Sequence, residues 1–562
     1  MGSYVRFRFH GKLTRGWILG ATEDIPARML PVMRVVSAVR FFDAAMLELA
    51  RWVAERYVTP LATVLDALSP PRVAGEEGAA IASDATQTAP AEVVEPILDG
   101  YRGGSALRDA IGAARDGSWI LRPAPEHEAS VVIELVVASL RAGRRALVIV
   151  PEAEPMPFTA SALRSTLGDR VGLFVGGSPR QRYRRWLEIA DGRFDVVVGT
   201  RSAVFAPLRD LGVIVVSRES HPALREDRAP YHHTRDIALA RGRLGVAPPV
   251  CVLSALCPSS EAAALGLPEV IPAERRWPKV EVVRPGSEGR APRLLEALRE
   301  TRRGFVFAPV PGYGIAQVCR SCGAPAACAA CGGMLRAEAG EIRCVVCEAL
   351  GRCAVCGGSS FGVRRGGAER VEEWVSRFAS VPVSRPSSPR LPDMDGEVLV
   401  GGPGSVRDLG VGALDLVAIL DADIAGRRPG LSARERALSV WMEAVGWARP
   451  NGRAIVQSSS PSEPAVQALV RGNPDRFHAR ERERREAAGF PVGAPVFRVV
   501  GTEELEPAID EHRPITALTT SLGGRTVCLL ALEPGRVPAF GAAMRRLAST
   551  GVVERVEAEP HI

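Results

Sequence analysis

The sequence predicts an α/β protein of two parallel-sheet lobes, with a small β-rich module before them, a cysteine-rich insertion in the second and a small α/β domain after. Three observations predict this. Between about residues 98 and 285, apolar strand-like runs (ALVIV, VGLFVG, FDVVVGT, LGVIVVS, PPVCVLS) alternate with helical patterns, as in a parallel sheet flanked by helices. A second series begins at 304-GFVFAPV, is broken by a block of cysteines, and resumes through 397-EVLVGG, 416-LVAILDAD and 453-RAIVQSSS. A chain of 562 residues, 46% of them hydrophobic, is long enough for several cores of roughly 150 residues each.

The N-terminal module is expected over residues 1–70. Residues 4–20 alternate apolar and polar around a turn at His10-Gly11, which reads as a twisted hairpin. The stretch 43-DAAMLELARWVAERYVTPLATVLDAL-68 has helical spacing with a break near Pro60. Residues 71–97, rich in Ala, Gly, Glu and Thr without periodicity, read as a flexible linker. Lobe 1 then spans 98–285, and lobe 2 spans 286–485 with the insertion at 319–358. A C-terminal domain over 486–562 contains a strand VCLLAL, a helix AFGAAMRRLAST and a strand VERVEAE.

The formal charge is +7 and the isoelectric point about 9.0, carried almost wholly by arginine, since the lysines are Lys12 and Lys279. That excess suits a phosphate-backbone partner but is thin over this length. No run of about 18 uncharged apolar residues occurs, and 1-MGSYVRFRFHGK lacks the apolar stretch of a signal peptide. A cytoplasmic protein with no membrane partner is expected.

Eight of the eleven cysteines fall in 319-CRSCGAPAACAACGGMLRAEAGEIRCVVCEALGRCAVCGG-358, as four C-x-x-C pairs. One tight turn aims both sulfurs of such a pair at a single ion, so four pairs supply two tetrahedral all-thiolate sites, a soft set that favours zinc. Disulfides are disfavoured in a cytosolic chain, and the spacing lacks the unequal intervals of ferredoxin runs. The gap from Cys331 to Cys344 can form a hairpin that joins the inner pairs. That gives a nested assignment, Cys319, Cys322, Cys353 and Cys356 to one zinc and Cys328, Cys331, Cys344 and Cys347 to the other, with a cross-brace as the alternative. With every ligand a thiolate the two Zn²⁺ are structural. Cys251, Cys257 and Cys528 are isolated and read as core residues.

The stretch 119-WILRPAPEHEASVVIELVVASLRAGRRALVIVPE-152 reads as strand, loop, helix, strand, the unit in which nucleotide-binding proteins hold a triphosphate, yet its loop from Arg122 to Glu128 has neither glycine nor lysine. This unit, the two lobes and the inserted cysteines together resemble the PriA family of primosomal replication restart proteins. The resemblance is densest at 185-RWLEIADGRFDVVVGTRSAVFAPLRDLGVIVV-216, with further matches at 319-CRSC, 366-GGAERVEE-373, 418-AILDADIAGRRP-429 and 463-EPAVQALVRG-472. At the N-terminus 5-VRFRFHGKLTRGWILG-20 resembles the family's DNA 3′-end-binding module. The resemblance implies helicase-like (RecA-like) lobes, a zinc-ribbon insertion, and replication restart at branched DNA.

The departures are concentrated where nucleotide should bind. The family's G-V-T-G-S-G-K-T loop falls on Arg122 to Ala129, placing Glu128 at the phosphate-binding lysine; a carboxylate there repels a triphosphate, and the missing glycines remove its cradle of N–H groups. The acidic D-E-E-H falls on Ser217, Arg218, Glu219 and Ser220. The family's G-S-A-T-P-S maps to 254-SALCPS-259, its N-R-R-G-Y to 309-PVPGY-313 and its G-T-Q-M-I-A-K-G to 401-GGPGSVRD-408, while its G-R-A-G-R run is missing from 443-EAVGWARPNGR-453. Phosphoryl transfer needs cradle, metal carboxylate and arginine clamp together, so a helicase fold without ATP hydrolysis, and with ATP no longer a ligand, is expected. The linker replaces the family's winged-helix segment, and the chain begins at what should be an inner strand of the N-terminal module.

The expectation is thus a scaffold that recognises stalled forks, with branched, forked and single-stranded DNA as ligands. Primosome and helicase-loading proteins are the expected partners, with single-stranded DNA-binding protein a further candidate. An active helicase with an unconventional nucleotide site and a zinc-ribbon interaction protein without DNA are the alternatives. The DNA contacts expected are Arg6, Arg8, Lys12 and Arg15, with Trp17 as a stacking face; the competing reading is an ordinary solvated hairpin. Arg180, Arg182, Arg184 and Arg185 form a denser patch that reads as a helix surface. Glu128, Ser217 and Glu219 mark a degenerate nucleotide site, and His127 and His221 are its remnants.

Overall fold

The structure is a computed structural model. It describes residues 1–23, 29–77, 94–244, 248–274, 276–285, 291–308, 316–322, 326, 328–330, 335–338, 341–344, 347–365, 368–410, 412–425 and 430–560. Strands β1 (Tyr4–Phe9), β2 (Lys12–Trp17) and β3 (Arg34–Val35) form an antiparallel sheet in the order β2-β1-β3. Helices α1 (Ala44–Arg56) and α2 (Leu61–Ala67) follow. Asp43 caps α1, its carboxylate accepting from the Met46 N–H at 2.9 Å. Pro60 stands at the boundary of α2, where its fixed φ suits a helix start.

The first lobe is a sheet of β4 (Tyr101–Arg102), β5 (Gly117–Leu121), β6 (Arg145–Ile149), β7 (Val171–Phe174), β8 (Val196–Gly199), β9 (Leu211–Ser217), β10 (Val250–Ser254) and β11 (Glu269–Pro272). Their spatial order is β4-β11-β5-β10-β9-β6-β8-β7, parallel except at the β11-β4 pair. Of the apolar runs read from the sequence, ALVIV, FDVVVGT, LGVIVVS and PPVCVLS are interior strands, buried on both faces as a parallel sheet requires, while VGLFVG is the edge strand β7. The edge pieces β4 and β11 carry too few apolar residues to be read by pattern.

The second sheet begins with β12 (Lys279–Val283), inside the span 98–285 expected for lobe 1 but paired with β21 of the second sheet, and β13 (Arg303–Phe307). The cysteine module follows, with β14 (Ala316–Cys319), β15 (Leu335–Glu338), β16 (Glu341–Cys344) and β17 (Phe361–Arg365). There β15 pairs with β16, and β14 with β17, as antiparallel ribbons. The sheet resumes with β18 (Val383–Ser384), β19 (Glu397–Gly401), β20 (Leu414–Ile419) and β21 (Ala448–Gln457), in the parallel order β12-β21-β20-β13-β19-β18. The C-terminal sheet contains β22 (Val496–Gly501), β23 (Thr516–Leu522), β24 (Arg525–Ala531) and β25 (Val553–Ala558) in the order β23-β24-β22-β25, with helix Val537–Ser549 against it.

Residues 71–77, read as the start of a flexible linker, are packed instead. Arg72 grips the Glu77 carboxylate at 2.6 and 2.8 Å, the Tyr183 hydroxyl donates to Glu77 at 2.6 Å, and Glu76 pairs with Arg180. Leu98 is fully buried at the other end, and residues 78–93 lie outside the described set. The stretch lacks periodicity because its order comes from carboxylates meeting the helix Pro179–Ala190, not from an apolar face. One apolar core runs unbroken through α1, α2, one face of the first sheet and the C-terminal sheet.

A buried polar knot closes that junction. The Tyr57 hydroxyl donates to Asp236 at 3.0 Å and accepts from the His233 N–H at 3.1 Å; Arg56 reaches Glu559 at 3.0 Å and Asp236 at 3.8 Å. Tyr57 is fully buried. Tyr57→Phe leaves the His233 N–H and one Asp236 oxygen short of a partner, so unfolding free energy is expected to fall by about 1–3 kcal/mol in a denaturant titration with an unchanged m-value.

Candidate functional site

The cleft between the two lobes is where the sequence departures converge. The loop after β5 runs into the helix Glu128–Arg141. Its backbone forms no open cradle: the Ala124 N–H donates to the Tyr101 hydroxyl at 2.8 Å, and Tyr101 also meets His127 Nδ1 at 3.1 Å. Lobe 2 presses directly on this loop. A Cβ at Gly446, the last residue of the helix Ala433–Gly446, would stand 3.1 Å from the Pro125 side chain. A side chain there would press Pro125 and Leu256 back by a few tenths of an ångström.

Arg218, directly after β9, has φ of +51° and is 6% exposed. Its guanidinium clasps Glu128 with two hydrogen bonds of 2.8 and 2.9 Å, the bidentate geometry that suits arginine to carboxylate. A third N–H reaches Glu443 of lobe 2 at 3.1 Å, and Asp408 of lobe 2 lies 4.0 Å away. Burial alone would lower the guanidinium's pKa, but Glu128, Glu443 and Asp408 outweigh it and hold Arg218 charged. One cation faces several carboxylates, so burial pushes Glu443 up to about 7 even though Arg218 opposes the rise. Glu128 and Arg218, the two residues at which the sequence departs from the family's expected motifs, are thus partners.

Glu219 is fully buried and satisfied internally: it accepts from Arg235 at 3.0 Å and from the N–H and hydroxyl of Ser259 at 2.9 and 2.7 Å. Ser217 is buried at the end of β9, and the Ser220 hydroxyl meets that of Ser439 in lobe 2 at 2.7 Å. In the stretch where the family's arginine pair is missing, Trp447 packs on Phe305 at 5.1 Å, Arg449 pairs with Asp415 at 2.7 Å and Arg453 with Glu300 at 3.0 Å. Neither arginine is directed into the cleft. Residues 309–313 lie outside the described set.

The cysteine module brings two sets of thiols together. Cys319, Cys322, Cys353 and Cys356 have all four sulfurs within 4.8 Å of one another, and so do Cys328, Cys344 and Cys347. Cys331, expected as the fourth ligand of the second set, lies outside the described residues. Among the described residues the grouping matches the nested arrangement. The closest sulfur pairs are 3.5 Å (Cys319 and Cys356) and 3.6 Å (Cys322 and Cys353; Cys328 and Cys347). A tetrahedron with metal–sulfur bonds of about 2.3 Å has edges of about 3.8 Å, so the first set fits a tetrahedral ion and the second fits three corners of one. The Ala330 and Val355 N–H groups each approach a sulfur at 3.4 Å, which fixes the knuckles.

In the N-terminal module the strand register decides which charges act together. Residues facing each other across an antiparallel pair share a face, and Arg6 opposes both Arg15 of β2 and Arg34 of β3, while Tyr4 opposes Trp17. Arg6, Arg8, Arg15 and Arg34 therefore lie on one face with Tyr4 and Trp17. Lys12 opposes Phe9 and lies on the other. Arg34 escaped sequence reading because a two-residue strand has no period to detect. Trp17 is half-buried, 4.4 Å from Tyr4, 5.1 Å from Phe41 and 5.7 Å from Phe42, with its N–H 3.4 Å from Asp66. It lines a groove with Tyr4, Arg15, Leu65 and Asp66. In the dense patch, Arg180 pairs with Glu76, and Arg184 and Arg185 with Glu188.

Residues 1–70 match the family model described as the 3′ DNA-binding domain. The chain is 30% identical over 543 residues to the probable replication restart protein PriA of Mycobacterium leprae, covering 89% of this chain and 83% of that protein. The replication restart protein PriA of Treponema pallidum is 27% identical over 592 residues, covering 95% and 89%, and that of Bacillus subtilis 25% over 407 residues, covering 64% and 50%.

Two expectations follow from the thiols and the buried imidazoles. Metal analysis of the purified chain should return about two ions, and Cys328→Ser should lower this to about one with a fall in melting temperature, since structural metal binding is folding free energy. Burial, more than any neighbouring charge, holds His221 and His233 down to about 3 and His232 and His478 to about 4. Groups with depressed folded-state values stabilise fully above their unfolded value of about 6.5 and lose that contribution as pH falls. The melting temperature should therefore drop steadily from pH 6.5 toward pH 4, each buried histidine costing about 1–2 kcal/mol by pH 5. A flat profile over that window would contradict the burial.

Proposed function

The chain belongs to the PriA family of replication restart proteins, and on that premise we propose that it binds forked DNA as a scaffold for reloading the replication machinery and does not hydrolyse ATP. The observation that carries the second half is the Arg218–Glu128 pair. It fills the place of the phosphate-binding lysine and the metal carboxylates with a self-neutralising ion pair joined to Glu443 of lobe 2. A triphosphate would have to displace a buried bidentate pair and then face Glu128. Loss of one partner of such a pair costs about 3–5 kcal/mol, with no glycine cradle or arginine clamp to offset it.

DNA is engaged through the N-terminal module. Arg6, Arg8 and Arg15, with Arg34, supply phosphate contacts from one face, and Lys12 adds charge from the other. Tyr4 and Trp17 at the groove offer ring surface to a terminal base, and Asp66 and Arg15 supply acceptor and donor at its rim. The two thiolate clusters hold structural zinc, whose closed coordination leaves no position for a substrate. The zinc module would present a fixed surface to loader proteins of the primosome, and to single-stranded DNA-binding protein.

A single titration series tests both halves. Forked DNA should bind more tightly than duplex of equal length, with the same affinity with and without ATP, and hydrolysis should stay at the level of a protein-free control. Removing Arg6, Arg8 or Arg15 should flatten the salt dependence of binding by about one unit of slope each. Trp17→Ala should cost about 1–3 kcal/mol of binding without changing that slope. Equal affinity for fork and duplex would remove the restart reading; turnover lost on mutating a lobe residue would restore the helicase.

A further inference from the structure

Lobes that cycle through a nucleotide-driven stroke must part when the nucleotide leaves, because the bound phosphates are what bridge them. Here the bridge is made by side chains. Glu128 holds one edge of the Arg218 guanidinium, Nε and Nη2, within lobe 1, which leaves Nη1 aimed at lobe 2, where Glu443 accepts from it at 3.1 Å. The left-handed backbone at Arg218 is a conformation a non-glycine residue keeps only when its surroundings over-determine it.

We infer that Arg218 stands in for a bound nucleotide, holding the two lobes permanently in a closed arrangement as one rigid body.

Three further contacts across the cleft act in the same sense without involving Arg218. Asp408 of lobe 2 accepts the Phe158 N–H through its carbonyl at 2.9 Å and the Thr159 N–H through its carboxylate at 3.0 Å, so it ends a lobe 1 helix from the opposite lobe. Arg122 reaches Asp475 at 2.7 Å from the loop that should hold phosphate. The Gly446 backbone lies against Pro125, so the closed state is packed as well as charged. Opening the cleft strips Glu443 and Asp408 from Arg218 while Glu128 stays paired, so the cation is the hinge point of the closure and the lobe 2 carboxylates are its detachable half. The inference shares with the proposed function only the premise that the cleft takes no nucleotide; it does not depend on DNA being the ligand.

The test is the spacing between genetically encoded spin labels at exposed Asp169 of lobe 1 and Arg377 of lobe 2 in the full chain, measured by pulsed electron resonance. The wild-type protein should give one narrow distance distribution that is the same alone, with ATP and with forked DNA. Arg218→Met and Glu443→Ala should each broaden it and add a longer population at least several-fold above the wild-type level. A shift of the wild-type distance on adding ATP or DNA overturns the inference, as does an unchanged narrow distribution in Glu443→Ala. That variant keeps the Arg218–Glu128 pair inside lobe 1, so it reads the closure even if Arg218→Met fails to fold. Fork affinity measured on the same wild-type sample separates the two ideas: loss of fork preference with a fixed distance sinks the DNA reading alone, and a moving distance with intact fork preference sinks the closure alone.

Discussion

A guanidinium taken out of water must be paired on every side, and Arg218 imposes that requirement on two lobes at once. Its partners come from the head of a lobe 1 helix, from the helix Ala433–Gly446 and from the loop at Asp408. Each of those segments is thereby fixed in place relative to the others. The glycine at 446, the serine pair at 220 and 439 and the Asp408 carboxylate all have the identity they need once the cleft is closed around that charge. Hydrophobic burial builds the two sheets and brings Leu256 and Cys257 of lobe 1 into the lobe 2 core, and the buried ions add the pairing that any slip would break.

The same logic recurs at the junction of α1 with lobe 1 and the C-terminal sheet. Tyr57, Asp236, Arg56 and Glu559 satisfy one another inside an otherwise apolar region. Such groups gain little net stability over an apolar replacement, yet they tolerate few alternative arrangements, because any slip leaves a charge unpaired. Described residues from the first module to the last are in this way tied to lobe 1 by contacts that are specific before they are strong.

Much of this was legible in the sequence, and the boundary of legibility is physical. Central strands such as LGVIVVS declare themselves because both faces are buried and nearly every residue is apolar. The thiol pairs declare their grouping through the length of the β15-β16 hairpin. What escaped was order created by partners far away in the chain. Residues 72–77 look like a linker until Tyr183 and Arg180 are placed beside them, and β22 and β23 were missed because VFRVVG and TALTTSL gain their character from strand neighbours. Glu128 and Arg218 were each visible as departures from the family pattern. Their meeting was not, since 90 positions separate them and only the fold brings a substituted lysine opposite a substituted carboxylate.

The Gly446 contact carries a consequence for substitution. The lobe 2 helix is seated against Pro125, and Glu128, Arg218 and Glu443 are paired with one another beside it. A change at one of these positions alone would place a lysine at 128 beside a buried Arg218, or an acid at 218 beside Glu128 and Glu443. Either change confines like charges in a dry space and is less fit to fold than its parent. The two residues are therefore entrenched by each other: neither changes alone without leaving like charges buried together.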